Sequence, residues 1–167
     1  MAQYVYTMNR VGKIVPPKRQ ILKDISLSFF PGAKIGVLGL NGSGKSTLLK
    51  IMAGLDQEII GEAVPMAGLK IGYLPQEASV FRSLSVRDNI DLVLQERGIE
   101  AGRRRQIVDE LVEEFGLTAL VDVMGYSLSG GERRRLEVAR TLALDPDFIL
   151  LDEPFAGIDP IAVGDIQ

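Results

Sequence analysis

A glycine-rich segment at residues 39–47 contains the residue types that bind nucleotide phosphates. It fits the pattern G-x-x-x-x-G-K-[ST], in which consecutive backbone N–H groups wrap a phosphate and the following helix adds its positive N-terminal end. We expect Lys45 to bridge the β- and γ-phosphates, Ser46 to hold Mg²⁺ and Thr47 to reach the α-phosphate. A glycine-rich turn that binds nothing is the weaker alternative. The predicted phosphate-binding residues are Gly39, Leu40, Asn41, Gly42, Ser43, Gly44, Lys45, Ser46 and Thr47.

Two carboxylates follow an apolar run near the end of the chain. Residues 148–151 are all apolar and lead directly into Asp152 and Glu153. Uncompensated charge at the tip of a buried strand is costly, so a metal and a water molecule explain this pair better than two solvated side chains do. We expect Asp152 to orient Mg²⁺ through its waters and Glu153 to act as the general base.

A glutamine follows a short strand pattern at residues 70–74, where the helical part of the sequence begins. The amide of Gln76 can ligate Mg²⁺ and sense a γ-phosphate, although the residue taken alone is an ordinary loop glutamine. The predicted catalytic residues are therefore Glu153, Lys45 and Gln76. The predicted metal ligands are Ser46, Gln76 and Asp152.

A second candidate anion site lies at residues 128–132, Leu-Ser-Gly-Gly-Glu. Ser129 is placed as the N-cap of a helix, and Gly130 and Gly131 permit a close backbone approach. An ordinary capping box between Ser129 and Glu132 is the alternative, and both interpretations can hold together. Its distance along the sequence from residues 39–47 indicates a phosphate held from the opposite side.

The first part of the chain has strand patterns. Residues 3–11 and 21–30 alternate in polarity around a turn at 16–19, which predicts an antiparallel hairpin or a small sheet. Residues 34–39 have the pattern of a buried strand feeding the phosphate loop, and 46–52 that of a helix ended by Gly54.

The second part is helical until the final strand. Apolar residues recur at spacings of three and four over residues 86–143, which predicts three or four helices. The apolar run at 148–151 predicts a central parallel strand. We therefore expect an α/β phosphate-loop fold in one domain, residues 1–167, with an N-terminal antiparallel β-subdomain and an inserted helical lobe at about residues 78–143.

Composition narrows the function classes. The chain has 167 residues, 46% of them apolar, a formal net charge of −3 and no cysteine. This predicts a globular protein without a disulfide frame, a thiolate metal site or an overall basic field for nucleic acid. No apolar run approaches the ~18 residues that span a bilayer. We therefore expect a cytoplasmic location without direct membrane insertion, with any contact at the inner membrane face made through a partner.

The four motifs, in this order, resemble those of the ATP-binding cassette (ABC) ATPases over essentially the whole chain. The resemblance implies an ATP- and Mg²⁺-dependent ATPase, which hydrolyses a phosphoanhydride. It also implies a head-to-tail pair with a second ABC domain, as homodimer or heterodimer. Ser129, Gly130 and Gly131 of one domain would then close on the γ-phosphate held by Lys45 of the other. Asp159 matches the family's D-loop, which communicates across that dimer.

Two branches of the family are resembled in different parts of the chain. Residues 1–76 resemble the first cassette of the ABC-F translational throttle factors, and residues 72–167 resemble the ATPases of lipopolysaccharide-export ABC transporters. Both share the stretch at residues 72–77, so we predict a chimera, natural or engineered, joined there. The segments that carry these likenesses are 4–8, 15–18 and 29–36 for the first branch and 76–86 and 153–161 for the second.

The branches imply different partners. Gln76 and Leu128 are separated by 51 residues (127 minus 76), a transporter-like length without the ABC-F arm that reaches ribosomal RNA and tRNA. The lead prediction is a membrane permease bound through Phe81 and Arg82, with the ribosome and tRNA as the alternative. A core position is the competing interpretation for Phe81. The arginine runs at 103–105 and 133–135 favour solvated helix faces over an RNA site.

Some expected family features are missing. No aromatic residue stands clearly where the family stacks adenine, so Val11 or the region of Pro16 is expected to supply an apolar face. The chain contains no histidine, so the family's switch histidine is not among these residues. The chain also stops before one or two further sheet strands, which predicts exposed apolar surface and reduced stability. A recombined fragment that binds ATP with little turnover is the third hypothesis.

Overall fold

The computed structural model describes residues 3–153. They form two compact units. The first unit consists of residues 3–73 and 147–152, and the second of residues 74–146 together with 153. Within the described residues, none of the helices combines the length and the apolar character needed to span a bilayer.

An antiparallel sheet of three strands dominates the first unit. Strand β1 (Tyr6–Val15) lies between β2 (Arg19–Phe29) and β3 (Ile60–Pro65). Tyr6 opposes Phe29 on one side and Pro65 on the other, which sets the register. The predicted hairpin is confirmed, while β3 is a strand that the sequence patterns did not indicate. Its Gly61 and Pro65 are poor strand formers.

Helix α1 (Lys45–Met52) packs on the core of the first unit through its buried Leu48, Ile51 and Met52. Gly54, with φ of +73°, follows the C-terminal end as expected. Strands β4 (Ile71–Leu74) and β5 (Phe148–Leu151) form a separate two-stranded sheet. Aromatic contacts fix β5, since the ring of Phe148 lies 6.2 Å from that of Tyr6 and 5.9 Å from that of Phe29. These rings tie the strand before Asp152 to the antiparallel sheet.

The strand predicted at residues 34–39 is wrong. These residues belong to neither sheet, and Ile35 and Leu38 are 57% and 97% exposed. A strand needs a hydrogen-bonding neighbour, and none of the strands in residues 3–153 pairs with this segment. The prediction of a central position for β5 also differs from the structure, because β4 is its only partner among the described residues and Ile149 and Leu151 remain exposed.

The second unit is helical, as the spacing of apolar residues predicts. It contains α2 (Val86–Glu96), α3 (Ala101–Glu114) and α4 (Gly130–Ala143), with two short 3₁₀ turns at Thr118–Leu120 and Gly125–Ser127. Its fully buried side chains come from all three helices and from the connections between them: Val86, Ile90, Leu94, Val108, Leu117, Leu136 and Ala139. This core is separate from that of the first unit.

A buried asparagine organises the start of the helical unit. Asn89 of α2 has no solvent exposure. Its Nδ2 donates to the carbonyls of Phe81, Leu84 and Ser85 at 3.0, 3.2 and 2.9 Å, and its Oδ1 accepts the N–H of Phe81 at 2.9 Å. Both the oxygen and the nitrogen of the amide are therefore used, and this one side chain binds three residues of the loop before α2.

Replacing this asparagine should destabilise the protein. Asn89→Ala leaves the N–H of Phe81 without its acceptor and removes the three donations from Asn89 Nδ2 to carbonyls of the loop, so we expect a loss of about 2–3 kcal/mol in the free energy of unfolding. Urea denaturation followed by circular dichroism measures it. Asn9→Ala, at an exposed position of β1, is the matched control and should change it by less than about 0.5 kcal/mol. Equal effects of the two substitutions would contradict this account of the loop.

Candidate nucleotide-binding site

The loop at residues 39–44 is open to solvent, and its last residue has a conformation that glycine favours. Gly44 is the N-cap of α1, with φ of +94°. A Cβ built there would lie 3.0 Å from Ile21 Cγ2 and 3.0 Å from Leu22 Cδ2. The chain thus needs glycine both for the backbone angle and for the close approach of β2. The loop then leads directly into α1, whose first turn carries no acidic residue.

The side chain of Lys45 folds back over this loop. Its Nζ donates to the carbonyl of Gly39 at 2.8 Å and to that of Leu40 at 3.2 Å. The ammonium group is therefore held against the backbone at residues 39 and 40. A positive charge within such a loop favours a bound phosphate.

Ser46 and Asp152 lie together in the first unit, although 106 residues separate them along the chain. The Ser46 hydroxyl donates to Asp152 Oδ1 at 3.0 Å. Asp152 is 2% exposed, and the Tyr73 hydroxyl lies 3.3 Å from its other oxygen, as a longer hydrogen bond. Hydroxyl and carboxylate oxygens are the ligands that Mg²⁺ prefers, so this donor set fits the ion. Tyr73 was missed because an aromatic residue in a strand pattern is ordinarily assigned to a core.

Few protein ligands are available for a metal here. Residues 3–153 contain no group of three or more acidic, histidine or cysteine side chains that could hold an ion. Magnesium commonly binds through one or two protein oxygens together with waters and substrate phosphates. The Ser46–Asp152 pair therefore suits an ion that arrives with its nucleotide.

Gln76 and Glu153 meet in the second unit. The Gln76 amide donates from Nε2 to Glu153 Oε2 at 2.8 Å. Gln76 is exposed and Glu153 is half-buried. Of the three predicted metal ligands, the first unit thus brings Ser46 and Asp152 together, while Gln76 contacts the predicted general base.

The Leu-Ser-Gly-Gly-Glu segment forms the N-terminus of α4. The Ser129 N–H donates to Glu132 Oε2 at 2.7 Å and the Glu132 N–H donates to Ser129 Oγ at 3.3 Å, a complete capping box. The backbone hydrogen bond from Ser129 lowers the pKa of Glu132, and the Ser129 hydroxyl acts in the same direction. Ser129 and Gly130 are exposed and Leu128 is buried. The capping interpretation holds, and it leaves Gly130 exposed and Gly131 half-buried.

The prediction of a solvated face for residues 133–135 is wrong at its central residue. Arg134 is 6% exposed, and its Nη1 contacts Glu137 Oε2 at 2.9 Å and the carbonyl of Pro75 at 2.9 Å. Buried charges need such partners, and a run of arginines does not reveal which of them has one. In the other run Arg104 pairs with Asp91 at 2.8 Å, whereas Arg103 and Arg105 are exposed.

Phe81 is at the surface, so the core interpretation of this residue is wrong. It is 43% exposed, and the guanidinium of Arg140 lies 4.6 Å from the centre of its ring. Burial lowers the pKa of Arg140, which Glu137 partly opposes. Arg82 is exposed beside it. Phe81 and Arg82 thus form an accessible aromatic and cationic patch.

Two further predictions have different outcomes. Val11 is fully buried in the core of the first unit and cannot offer a face to adenine, whereas Pro16 is exposed. Asp159, the predicted D-loop residue, lies outside the described residues.

Family comparison agrees with this site. A family model described as ABC transporter matches residues 22–156, which is most of the chain. The protein therefore belongs to the ABC ATPase family, with the phosphate-loop fold that its motifs predict.

Relatives from both predicted branches match the chain. It is 46% identical over 198 aligned positions to the energy-dependent translational throttle protein EttA of Escherichia coli K12, covering 98% of this chain and 36% of that protein. It is 49% identical over 162 positions to the lipopolysaccharide export system ATP-binding protein LptB of the same strain, with 89% and 67% covered. A probable ABC transporter ATP-binding protein of Azorhizobium caulinodans is 52% identical over 161 positions, with 89% and 57% covered. The chain thus spans about a third of the throttle protein.

The throttle alignment is longer than this chain. The throttle alignment has 198 positions and the chain has 167 residues, so at least 31 positions (198 minus 167) of that protein have no counterpart here. Both the throttle and the export alignments run across residue 76, because each covers most of the chain. The chimeric join therefore stays a prediction.

The capping box generates a pH-dependent contribution to stability. Because the folded-state pKa of Glu132 lies below its ordinary value of 4.5, this contribution is present above pH 4.5 and disappears as the pH falls through the lowered value. We expect Glu132→Gln to be less stable than the parent at pH 7 and the difference to shrink below pH 4.5.

Thermal unfolding between pH 3 and pH 7 measures this difference. Glu114→Gln, at an exposed position of α3, is the control and should show a smaller dependence on pH. A Glu132→Gln deficit that stays constant across this range would refute the role of the charge.

Proposed function

We propose that this chain is an ABC nucleotide-binding domain that binds ATP with Mg²⁺ and hydrolyses the γ-phosphate. The observation that carries the proposal is the 3.0 Å contact between Ser46 and the buried Asp152 next to a lysine-bearing phosphate loop. A buried carboxylate paired with a serine that directly follows such a lysine suits a nucleotide-bound cation. The family match supports the same chemistry.

The site residues of the first unit have distinct roles in this proposal. Backbone N–H groups of residues 39–47 and the Lys45 ammonium bind the β- and γ-phosphates, while Thr47 contacts the α-phosphate. Ser46 and Asp152 hold Mg²⁺, directly or through water. When bound, the ion neutralises charge that develops on the phosphate oxygens.

Glu153 is the proposed general base. The 2.8 Å bond from Gln76 orients its carboxylate, so a water molecule that attacks the γ-phosphate can give its proton to a fixed group. Gln76 thereby links the base to the segment that leads to Phe81. Gln76 is also proposed to ligate the ion once nucleotide is bound.

The second half of the catalytic site comes, in this proposal, from a second ABC domain. Ser129, Gly130 and Gly131 lie at the exposed N-terminus of α4, where backbone N–H groups and the helix dipole favour an anion. A head-to-tail pair, as homodimer or heterodimer, brings this end onto the γ-phosphate bound by the other domain. Each nucleotide is then enclosed by two chains.

A membrane permease is the proposed partner. The export relative of 49% identity supports this choice, and the exposed Phe81, backed by Arg140, provides an aromatic anchor of the kind that dominates interfaces. The protein would then work in the cytoplasm, peripherally at the inner face of the membrane.

Translation is the second candidate function. The throttle relative is 46% identical over 98% of the chain, which supports a ribosome-binding ATPase with tRNA contacts. The throttle protein has at least 31 aligned positions (198 minus 167) without a counterpart in this chain, and this difference counts against the translation function. A recombined fragment that binds ATP with little turnover is the third candidate, and measured turnover decides it.

Two substitutions test the chemistry. Lys45→Ala removes a charge-assisted contact to phosphate, so affinity for ATP with Mg²⁺ should fall roughly 10- to 100-fold. Glu153→Gln should bind ATP like the parent but hydrolyse it about 100-fold more slowly or worse, because the base is lost. Calorimetric titration and phosphate release measure the two effects.

The control for the first substitution is Lys50→Ala, an exposed lysine on the same helix, which should bind ATP normally. Undiminished binding by Lys45→Ala would overturn the phosphate-loop assignment. Hydrolysis by Glu153→Gln at the parental rate would overturn the assignment of the base.

Partner choice can be tested by two binding measurements. With a non-hydrolysable ATP analogue present, permease subunits of a lipopolysaccharide exporter should co-purify with the chain, and Phe81→Ala should reduce their recovery roughly tenfold. Phe30→Ala removes a similarly exposed phenylalanine, 47% against 43%, and should leave recovery unchanged. Co-sedimentation with ribosomes in place of permease capture would favour the translation function.

A further inference from the structure

We propose that Glu137 and Arg140 of α4 are positioning residues that hold the segment at residues 75–81, here called the Gln segment, and so keep Gln76 and Phe81 in place. The inference rests on the proposed function, because it assigns these residues to the support of the proposed catalytic and partner-binding groups. Neither residue was indicated by a sequence motif.

The two side chains hold Ser79 from both sides of its backbone. Glu137 Oε1 accepts the Ser79 N–H at 2.6 Å, and Arg140 Nη1 donates to the Ser79 carbonyl at 2.6 Å. With both polar groups of one residue bound to the same helix, its position along α4 is fixed. The contacts are short, as expected for hydrogen bonds that involve charged groups.

Glu137 is buried, so loss of its hydrogen bonds is expected to be strongly destabilising. Glu137 is 3% exposed, and its second oxygen accepts from Arg134, which also donates to the carbonyl of Pro75. Removing one member of a buried ion pair leaves an uncompensated charge. The Gln segment is therefore bound by α4 at Pro75 and Ser79, on either side of Gln76 and Glu77.

Asn89 completes the arrangement from α2. It holds the N–H and the carbonyl of Phe81 in the same two-sided way, at 2.9 and 3.0 Å. The Gln segment lies in no helix or strand, so these side chains supply the order that a sheet or helix would otherwise give. Since Gln76 contacts Glu153 at 2.8 Å, losing the hold at Ser79 loosens the orientation of the general base.

Ser129 is the N-cap of the same helix. Arg134, Glu137 and Arg140 are spaced three residues apart along α4. Their side chains therefore lie on neighbouring turns and can reach one neighbouring segment. From Gly130 to Arg140 the helix axis extends about 15 Å. Residues that cap the exposed end of α4 and residues that hold the Gln segment are thus parts of one rigid element.

Hydrogen exchange at individual amides of the full chain tests the proposal. In Glu137→Ala we expect exchange at residues 76–81 to rise roughly fivefold to tenfold, because one buried hydrogen bond and an ion pair are lost. Glu137→Gln retains an oxygen for the Ser79 N–H and should return exchange at that amide to within about twofold of the parent. Arg140→Lys, which keeps the charge but loses the planar donor, should show an intermediate increase.

The control is Arg104→Ala, which breaks the Arg104–Asp91 ion pair at 2.8 Å elsewhere in the second unit and should leave the Gln segment unchanged. A comparable increase in this control, or no increase in Glu137→Ala, would overturn the proposal. If Glu137→Ala loses protection throughout α4, Arg140→Ala and Arg140→Lys are measured in its place. Unchanged exchange of the Gln segment in both variants would overturn the proposal.

Calorimetric titration of ATP with the parent and with Glu137→Gln separates this inference from the proposed function. A parent chain that fails to bind ATP would refute the proposed function while leaving the exchange result valid. In a parent that hydrolyses ATP, Glu137→Ala should lower kcat through Gln76 and Glu153 with little change in KM. A change confined to KM would contradict the positioning role.

Discussion

The buried carboxylate of Asp152 is the constraint on which the candidate site depends. An uncompensated charge at 2% exposure would cost several kcal/mol, and the hydroxyls of Ser46 and Tyr73 offset part of that cost. To provide them, the fold must bring the start of α1 and the end of β4 to the end of β5. The aromatic contacts of Phe148 fix that last strand against the antiparallel sheet. The buried Asp152 carboxylate needs hydrogen-bond donors. This requirement brings it to Ser46, next to the phosphate loop and 106 positions away along the chain.

Local chemistry explains what the sequence could predict. Three predicted features depend only on residues that are close along the chain. They are the glycine before α1, the serine cap before α4 and the helical spacing of apolar residues over 86–143. Non-local pairing explains the failures. Residues 34–39 have the composition of a strand but no neighbour among the described residues, and β3 has poor strand formers but a long edge of β1 to pair with. Burial of Arg134 depends on Glu137 and Pro75, which no count of charges identifies.

Relatives with two different functional names match this chain. Relatives of 46% and 49% identity carry names from translation and from lipopolysaccharide export. Phosphate binding by residues 39–47 would serve either function, so the proposed choice between the two rests on the surface that meets a partner. The exposed patch of Phe81 and Arg82 is the surface that we propose for this contact.

The two-sided hold on Ser79 and Phe81 acts on main-chain atoms alone. Any residue with a backbone N–H can keep those bonds, and proline is the one type excluded at both positions. The side chains at these two positions can therefore change without loss of the hydrogen bonds that hold the segment. A scaffold built in this way can exchange the side chains that meet its partner without rebuilding the machinery behind them, so new specificity would require only local substitutions.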